Sequence, residues 1–311
     1  MKDLEDIFPE GVWVKDDEYL VRCPFCGDHP THNHLYINPE KGVFYCFYCG
    51  ERGSLRKLLN YVGEKGIETR PRKGVTEKKR HPPVDFSQFY PVTGVENTND
   101  RLAFTYLRSR GLSKEEIDYY QIHYSAYGRY FGRVIIPIYE EGALVCFVAR
   151  SFLHFIEPKY LFPHHGETLL TTAEALFGYD EARKAGGKQV YVLVEGVFDA
   201  MAVNRVRGLS GGSLRGIALL SKHMSKGQLY KLLQLPTDLF YVMLDADAHP
   251  DALKIGKQLS EWEREVRVCF LEEGDPASSS DMVILRKLTE AKSYSFELEA
   301  EILLNQRRQA R

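Results

Sequence analysis

The sequence predicts an α/β protein in two parts, a small β zinc ribbon at the N-terminus linked to a larger α/β domain. Two observations lead to this fold class. Cys23 and Cys26 form a Cys-x2-Cys pair, and Cys46 and Cys49 repeat it after nineteen intervening residues. Further along the 311-residue chain, apolar strand-like runs alternate with helical stretches at the spacing of βα units. That length fits roughly two domains.

The two cysteine pairs predict one structural zinc ion, because four thiolates at this spacing can close a tetrahedral site. His29, His32 and His34 lie between the pairs and could replace a thiolate. We expect all four cysteines to bind, since they already fill the coordination sphere. Folding of this part should therefore depend on zinc.

The rest of the ribbon predicts a hairpin followed by a short helix. HLYIN and VFYCF alternate like two strands around the turn NPEKG, and Ser54 is a plausible cap for a helix. Leu55, Leu58, Leu59 and Val62 then recur at helical spacing. The ribbon aromatics could stack on bases of a single strand or form a mini-core around zinc, and they are Phe25, Tyr36, Phe44, Tyr45, Phe47 and Tyr48.

Composition separates two segments from the rest of the chain, a ribbon over 1–65 and a flexible basic linker over 66–88. The basic linker is a solvated tether by default, with phosphate contact as the alternative.

Charge and hydropathy limit the classes of partner. The net charge of −2 gives no overall cationic signal, so contact with nucleic acid must come from local basic patches. No run is apolar enough to span a bilayer and no signal peptide is recognisable, so we expect a cytoplasmic protein without a membrane partner. Cys146 and Cys269 lie in apolar runs, and we expect them to be buried and inert.

Acidic residues follow three apolar strands of the second domain. VYVLV ends in Glu195, with Asp199 beyond it, LFYVML runs into Asp245 and Asp247, and VRVCFL precedes an acidic turn that includes Asp275. In an open parallel sheet, sites form beyond the carboxyl ends of strands, so these acids should converge in one crevice. Oxygen ligands suit Mg²⁺ or Mn²⁺, and such a site suits phosphoryl transfer. The alternative is that they are helix caps and solvated turn acids.

These stretches resemble a known family. VLVEGVFDAMAV and VMLDADA resemble the two halves of the Toprim module of bacterial DnaG-type primases, type IA and II topoisomerases and some nucleases. TYLRSRGLSKEEIDYYQIHYS, GRVIIPIYEEGALVCFVAR and PKYL followed by ALFGYDEAR resemble the subdomain that precedes Toprim in primases, and CPFCGDHP with FYCFYCGERGS resembles their zinc-binding domain. The resemblance covers nearly the whole chain in the expected order. It implies a primase-specific N-terminal subdomain over 89–187, a Toprim metal-binding subdomain over 188–275 and a C-terminal helical segment over 276–311.

The resemblance implies a DNA primase with a Toprim-containing RNA polymerase domain. Such an enzyme makes short RNA primers on single-stranded DNA from ribonucleoside triphosphates, during replication in a bacterial, phage or plasmid context, with a replicative helicase in trans as a further partner. By this resemblance Glu195, Asp245 and Asp247 hold Mg²⁺ or Mn²⁺, with Asp199 and Asp275 as further catalytic acids. A basic ridge for template and nucleotide is then formed by Arg110, Arg133, Arg150, Lys159 and Tyr160.

Three positions depart from the family pattern. Phe162 replaces an asparagine, Thr172 replaces a lysine, and Ala277 replaces the second acid of a D-P-D motif, for which Glu273 or Asp281 could substitute. The chain also ends where longer relatives continue into a helicase-binding domain, so the sequence predicts a short form. Two other functions stay open, a Toprim nuclease and an inactive zinc-ribbon protein that binds single-stranded DNA for replication or plasmid control.

Overall fold

The computed structural model forms two compact units, residues 1–80 and 81–311, which are described separately. The predicted linker falls largely outside the described residues, as do His29, His32, His34, Phe47 and Tyr48. The structure describes residues 3–15, 18–26, 33, 35–39, 42–46, 49, 51–64, 85–164, 167–186, 189–237 and 239–309.

The first unit is an antiparallel sheet with two short helices. Its elements are α1 Leu4–Ile7, β1 Val12–Lys15, β2 Glu18–Val21, β3 Leu35–Asn38, β4 Val43–Cys46, β5 Arg52–Ser54 and α2 Leu55–Tyr61. Each strand pairs with the next one in the chain, so the sheet order is β1-β2-β3-β4-β5. The predicted small β domain is therefore confirmed.

The hairpin and helix expected in this unit are present. β3 pairs with β4 in a register that sets Leu35 opposite Cys46, so one cysteine of the second pair closes the hairpin. The Ser54 hydroxyl accepts a hydrogen bond from the Lys57 amide at 3.3 Å and caps α2. The Phe25 ring lies 5.4 Å from the Phe44 ring, centroid to centroid, which favours the mini-core for these two aromatics. Three leucines of α2 are buried with them, Leu55, Leu58 and Leu59.

The second unit begins with an antiparallel sheet of five strands. Their order is β10-β9-β8-β7-β6. The buried Asp100 carboxylate accepts hydrogen bonds from the amides of Thr93, Val95 and Glu96, and this fixes the start of α3, whose other end leads into Arg110. The elements are β6 Tyr90–Pro91, α3 Thr98–Ser109, α4 Lys114–Tyr119, β7 His123–Ser125, β8 Arg133–Glu140, β9 Ala143–Ser151, β10 Tyr160–Leu161 and α5 Tyr179–Lys184.

A second sheet follows, in the order β12-β11-β13-β14-β15, and its first four strands are parallel. Their carboxyl ends meet at one edge, as the sequence predicts, and the α/β fold class is confirmed. The elements are β11 Val190–Val194, α6 Val197–Arg205, β12 Leu214–Ala218, α7 Lys226–Leu233, β13 Leu239–Val242, α8 His249–Ser260, β14 Glu265–Val268, α9 Asp281–Thr289, β15 Lys292–Ser293 and α10 Phe296–Gln309.

The segment predicted as helical, 276–311, also contains one short strand. Between α9 and α10 the short strand β15 pairs antiparallel with β14, with Ser293 opposite Arg267 and Lys292 opposite Val268. The amide of Tyr294 continues this pairing by donating to the Val266 carbonyl at 2.8 Å. The last part of the chain thus belongs to the parallel sheet's own edge.

The parallel sheet is buried on both faces, which explains its continuous apolar strands. Val192 and Val194 point into a core that they share with Ile136 and Val148 of the antiparallel sheet. Tyr191 and Leu193 point the other way, into a core with α7 and α8. Because side chains alternate along a strand, β11 joins the two layers of the unit. Among the described residues, no helix is long and apolar enough to cross a membrane.

A substitution at Gly216 of β12 tests how closely this sheet packs on α6. A Cβ atom there would lie 2.5 Å from the Ala200 carbonyl oxygen, so Gly216→Ala forces the helix backbone away. We expect thermal or denaturant unfolding to show a loss of about 2 kcal/mol or more. Gly186→Ala is the matched control, because nothing lies within 4 Å of its Cβ position. Equal stability of the two variants would contradict this packing.

Candidate functional site

The four cysteines of the ribbon come together as predicted. Their sulfur atoms all lie within 4.8 Å of one another. Cys23 Sγ is 3.8 Å from Cys49 Sγ, and Cys26 Sγ is 3.9 Å from Cys46 Sγ. Four sulfurs at about 2.3 Å from one zinc ion are separated by about 3.8 Å, so the arrangement fits a tetrahedral site.

Burial supports the same assignment. It raises the pKa of the Cys23 thiol well above its ordinary range and that of Cys26 to about 11. Clustered thiolates in this environment need a compensating cation, and zinc would supply it while holding β2 and the β3–β4 hairpin together. Cys146 and Cys269 are buried elsewhere, as expected, and burial raises the pKa of Cys146 to about 11.

A second site lies at the carboxyl edge of the parallel sheet, in a crevice of about 400 Å³. We call the acids that line it, from the half with the parallel sheet, the acidic wall, and the basic residues that line it, from the antiparallel half, the basic wall. The lining includes nine of the residues discussed here: Glu195, Asp199, Asp245, Asp275, Arg110, Arg150, Lys159, Tyr160 and Phe162.

Asp199 occupies the deepest position among these acids, with 7% of its surface exposed. Its Oδ2 accepts a hydrogen bond from the Gly196 amide at 2.9 Å, and its Oδ1 accepts one from the Ala277 amide at 3.0 Å. Burial, together with the charge of Asp275, raises the pKa of Asp199 to about 7. Asp199 therefore ties the start of α6 to the turn at residues 276–278.

Asp245 and Glu195 adjoin each other at the ends of neighbouring strands. The Asp245 amide donates to Glu195 Oε1 at 3.2 Å. Burial, followed by the charges of Asp199 and Glu195, raises the pKa of Asp245 to about 7, and burial also raises that of Glu195. Asp245 Oδ1 is buried with no hydrogen-bond partner among the described residues. A buried oxygen of this kind suits a cation.

The remaining acids lie further out. Asp247 is exposed and does not line the crevice. Asp275 lines it, but its Oδ1 also caps the 276–278 turn by accepting from the Ser278 amide at 2.6 Å. Within the described part of the chain, only the four cysteines bring three or more ligand atoms within 4.8 Å. A divalent cation would have to draw the carboxylates closer together.

Four of the five predicted ridge residues line the crevice, and aromatic rings hold two of them. The Arg150 guanidinium lies 4.4 Å from the Tyr160 ring centroid, and its Nε donates to the Tyr106 hydroxyl at 3.1 Å. Arg110 lies 5.1 Å from the Phe198 ring centroid. Its Nε is buried and has no hydrogen-bond partner in the described parts of the structure. Lys159 is exposed.

Arg133 is not among the described residues that line the crevice, so its predicted contact with template or nucleotide stays a prediction. Only 3% of its surface is exposed, and burial lowers the pKa of its guanidinium. The loop after β9 covers this region, since a Cβ on neighbouring Gly132 would lie 2.6 Å from Ile156 Cδ1 and 2.8 Å from Leu153 Cδ1. Arg133 is therefore a buried residue at the start of β8 in this structure.

The departures from the family pattern have different consequences. Phe162 lines the crevice, with its ring nearly parallel to that of Tyr160 and the centroids 6.4 Å apart. Thr172 lies outside it. Ala277 contributes its amide to Asp199. Asp281, one suggested substitute acid, accepts from Arg205 Nε at 2.7 Å, and neither it nor Glu273 is among the described residues lining the crevice.

Sequence reasoning missed several residues of this site. Phe198 and Ser221 line the crevice, and Tyr106 orients Arg150. Phe198 and Tyr106 read as ordinary apolar positions of helices, so no local signal marks them. His249, which follows Asp247 closely, is half-buried, and its Nε2 lies 3.0 Å from the Leu271 carbonyl oxygen.

Zinc content tests the ribbon site. We expect one zinc ion per chain by elemental analysis and its loss in Cys46→Ser, because three thiolates and a hydroxyl bind zinc less well. The first unit should then unfold at lower temperature. Cys146→Ser, which alters a buried thiol elsewhere, should keep the metal. A full zinc complement in Cys46→Ser would contradict ligation by this cysteine.

The pH dependence of stability tests the acidic wall. A carboxyl whose pKa folding raises, from 3.8 to about 7 at Asp245, destabilises the native state once ionised. The free energy of unfolding should therefore fall as the pH rises from 3.8 to about 7. Without divalent cations, Asp245→Asn should be more stable than the wild type by about 1 to 2 kcal/mol at pH 8 and nearly equal at pH 4. Asp118→Asn, which removes one negative charge from an exposed position, is the control. If the difference in the free energy of unfolding between Asp245→Asn and the wild type did not depend on pH, the raised pKa of Asp245 would be refuted.

Comparison with known proteins places these sites in context. No family model matches the sequence. A DNA primase of Halalkalibacterium halodurans is 24% identical, with the match covering 79% of this chain and 49% of the relative. The chain thus spans about half the length of the curated relatives that it matches.

Two solved structures share the fold. The zinc-binding and RNA polymerase domains of the Aquifex aeolicus primase match with a TM-score of 0.54 and 20% identity, over 94% of this chain and 84% of theirs. A DnaG primase catalytic domain bound to single-stranded DNA matches with a TM-score of 0.59 and 20% identity, over 70% of this chain and 80% of its own. Sequence similarity and shared fold together confirm that this chain resembles the bacterial DnaG-type DNA primases.

Proposed function

We propose that this protein is a DNA primase, a nucleotidyltransferase that makes short RNA primers on single-stranded DNA from ribonucleoside triphosphates. The observation that carries the proposal is the crevice with carboxylates on one wall and fixed cations on the other. Each wall holds a buried polar atom without a hydrogen-bond partner among the described residues, Oδ1 of Asp245 and Nε of Arg110. Such atoms suit a metal ion and a phosphate respectively.

In this proposal Glu195, Asp245 and Asp247 hold Mg²⁺ or Mn²⁺, with Asp199 and Asp275 nearby. When bound, the cation would offset the clustered carboxylates and favour attack of a 3′-hydroxyl on an α-phosphate. The raised pKa values of Asp245 and Glu195 support the assignment, because these acids ionise readily only beside a compensating charge. Zinc in the ribbon has the separate, structural task.

The chain's own side chains would then supply positioning. Arg110, Arg150 and Lys159 bind phosphate groups of the template or the nucleotide, and arginine does so through paired donors. Tyr160 orients Arg150 from beneath and, with Phe162, offers aromatic faces for a base. Catalysis by alignment and charge stabilisation needs no side-chain nucleophile.

The ribbon would help to select the start site by contact with unstacked template bases. Tyr36 and Tyr45 are cross-strand neighbours on β3 and β4 and only half-buried, which makes them candidates for this contact. The whole assembly would act in bacterial, phage or plasmid replication, with a replicative helicase recruited in trans.

A primer-synthesis assay tests the proposal. The protein is incubated with single-stranded DNA, labelled ribonucleoside triphosphates and Mg²⁺ or Mn²⁺, and products are resolved by length. We expect short RNA from the wild type and from Asp118→Asn, and a loss of at least about a hundredfold in Asp245→Asn, because its unpartnered oxygen is the proposed metal ligand.

Other outcomes would identify the alternatives. Cut DNA without nucleoside triphosphates would support a Toprim nuclease. Binding of single-stranded DNA by the wild type and Asp245→Asn alike, with no turnover by either on varied templates, would support an inactive binding protein.

A further inference from the structure

A basic loop at the rim of the crevice has no role in the motifs considered so far. It follows β12, and its first residues, Leu220 and Ser221, line the crevice. Lys222 and His223 come next, with 52% and 66% of their side-chain surfaces exposed. The loop therefore presents basic side chains beside the acidic wall.

The loop is held firmly at both ends. Before it, the Leu219 amide donates to the Val194 carbonyl at 2.9 Å, and after it Met224 is buried in the core. At its tip the His223 amide donates to the Ser221 hydroxyl at 3.1 Å. Leu220 has a φ of +62°, a left-handed conformation that is uncommon for a non-glycine residue and is strained. Strain of this kind persists where the surroundings fix the backbone.

The charges around this loop do not balance. Lys222, His223 and Lys254 all surround one carboxylate, that of Asp251 near the start of α8. Lys254 Nζ already donates to Asp251 Oδ1 at 2.8 Å. Lys222 Nζ lies 3.8 Å from Asp251 Oδ2, too far for a hydrogen bond. Two lysines against one aspartate leave positive charge at the rim, and the donors of Lys222 remain available.

Lys222 directly follows Ser221, which lines the crevice of the proposed reaction centre. Together with Arg110, Arg150 and Lys159, which line the crevice, it brings a further cation to this site from the β12 loop.

We propose that Lys222 binds the terminal phosphates of the nucleoside triphosphate entering the crevice, while Lys254 neutralises Asp251 and keeps Lys222 available. This inference rests on the proposed primase function and deepens it. A lysine ammonium is a point charge with three donors, which suits the several oxygens of a polyphosphate. Held at the rim, it would direct the α-phosphate toward Glu195 and Asp245.

The test compares Lys222→Ala with Lys257→Ala, which removes the same charge from an exposed position of α8, one turn beyond Lys254. In primer synthesis we expect Lys222→Ala to raise KM for the nucleotide about five- to tenfold, with kcat changed much less. Lys222→Arg should restore most of the loss, and Lys257→Ala should match the wild type. An unchanged KM in Lys222→Ala would overturn the inference and leave the primase proposal intact.

Two binding measurements separate the possible sources of phosphate. Tripolyphosphate, with Mg²⁺, should bind Lys222→Ala about five- to tenfold more weakly than Lys257→Ala, whereas affinity for single-stranded DNA should be equal in the two. Weaker DNA binding with unchanged tripolyphosphate binding would assign the loop to the template and overturn the inference. If the wild type makes no RNA, the primase proposal fails, yet the tripolyphosphate comparison still decides whether this loop binds a polyphosphate.

Discussion

The buried carboxylate of Asp199 is the constraint on which the crevice depends. It accepts one hydrogen bond from the Gly196 amide, where the chain leaves β11, and another from the Ala277 amide in the turn beyond β14. Two loops that are far apart in sequence are thereby held at a fixed separation. Burying this carboxylate is costly, as its raised pKa shows, and the two backbone donors offset part of that cost. The hydrogen bonds of Asp199 thus hold the acidic wall together, although ionisation of its clustered carboxylates is unfavourable.

The two walls of the crevice come from two different sheets, so their spacing depends on packing rather than on the polar residues themselves. Val192 and Val194 of β11 share a core with Ile136 and Val148 of the antiparallel sheet. Close packing of this kind is poorly compressible. The distance between carboxylates and guanidinium groups is therefore set by these apolar side chains, of which only Val148 lines the crevice, and changes to them would alter the site indirectly.

Much of this arrangement could be predicted from the sequence because its signals are local. The spacing of the cysteines, the continuous apolar run of β11 and the acids after it each lie within a few residues. Burial of Arg133 was not predictable, since the covering loop meets it only in the folded chain. The same holds for β15, whose two residues carry no strand pattern and pair only because β14 offers an open edge. Lys222 could not be singled out from the sequence, because the carboxylate near it, that of Asp251, lies on another element.

The return of the chain to the sheet at β15 has a consequence for solubility. A parallel sheet with a bare outer strand offers unpaired backbone groups on which another molecule can add a strand of its own. Here β15 covers part of β14 in the opposite direction, is only two residues long, and carries the exposed Lys292. Short, charged edge strands are poor templates for intermolecular pairing. At this edge, the segment that follows Asp275 therefore makes self-association of the protein by strand pairing unfavourable.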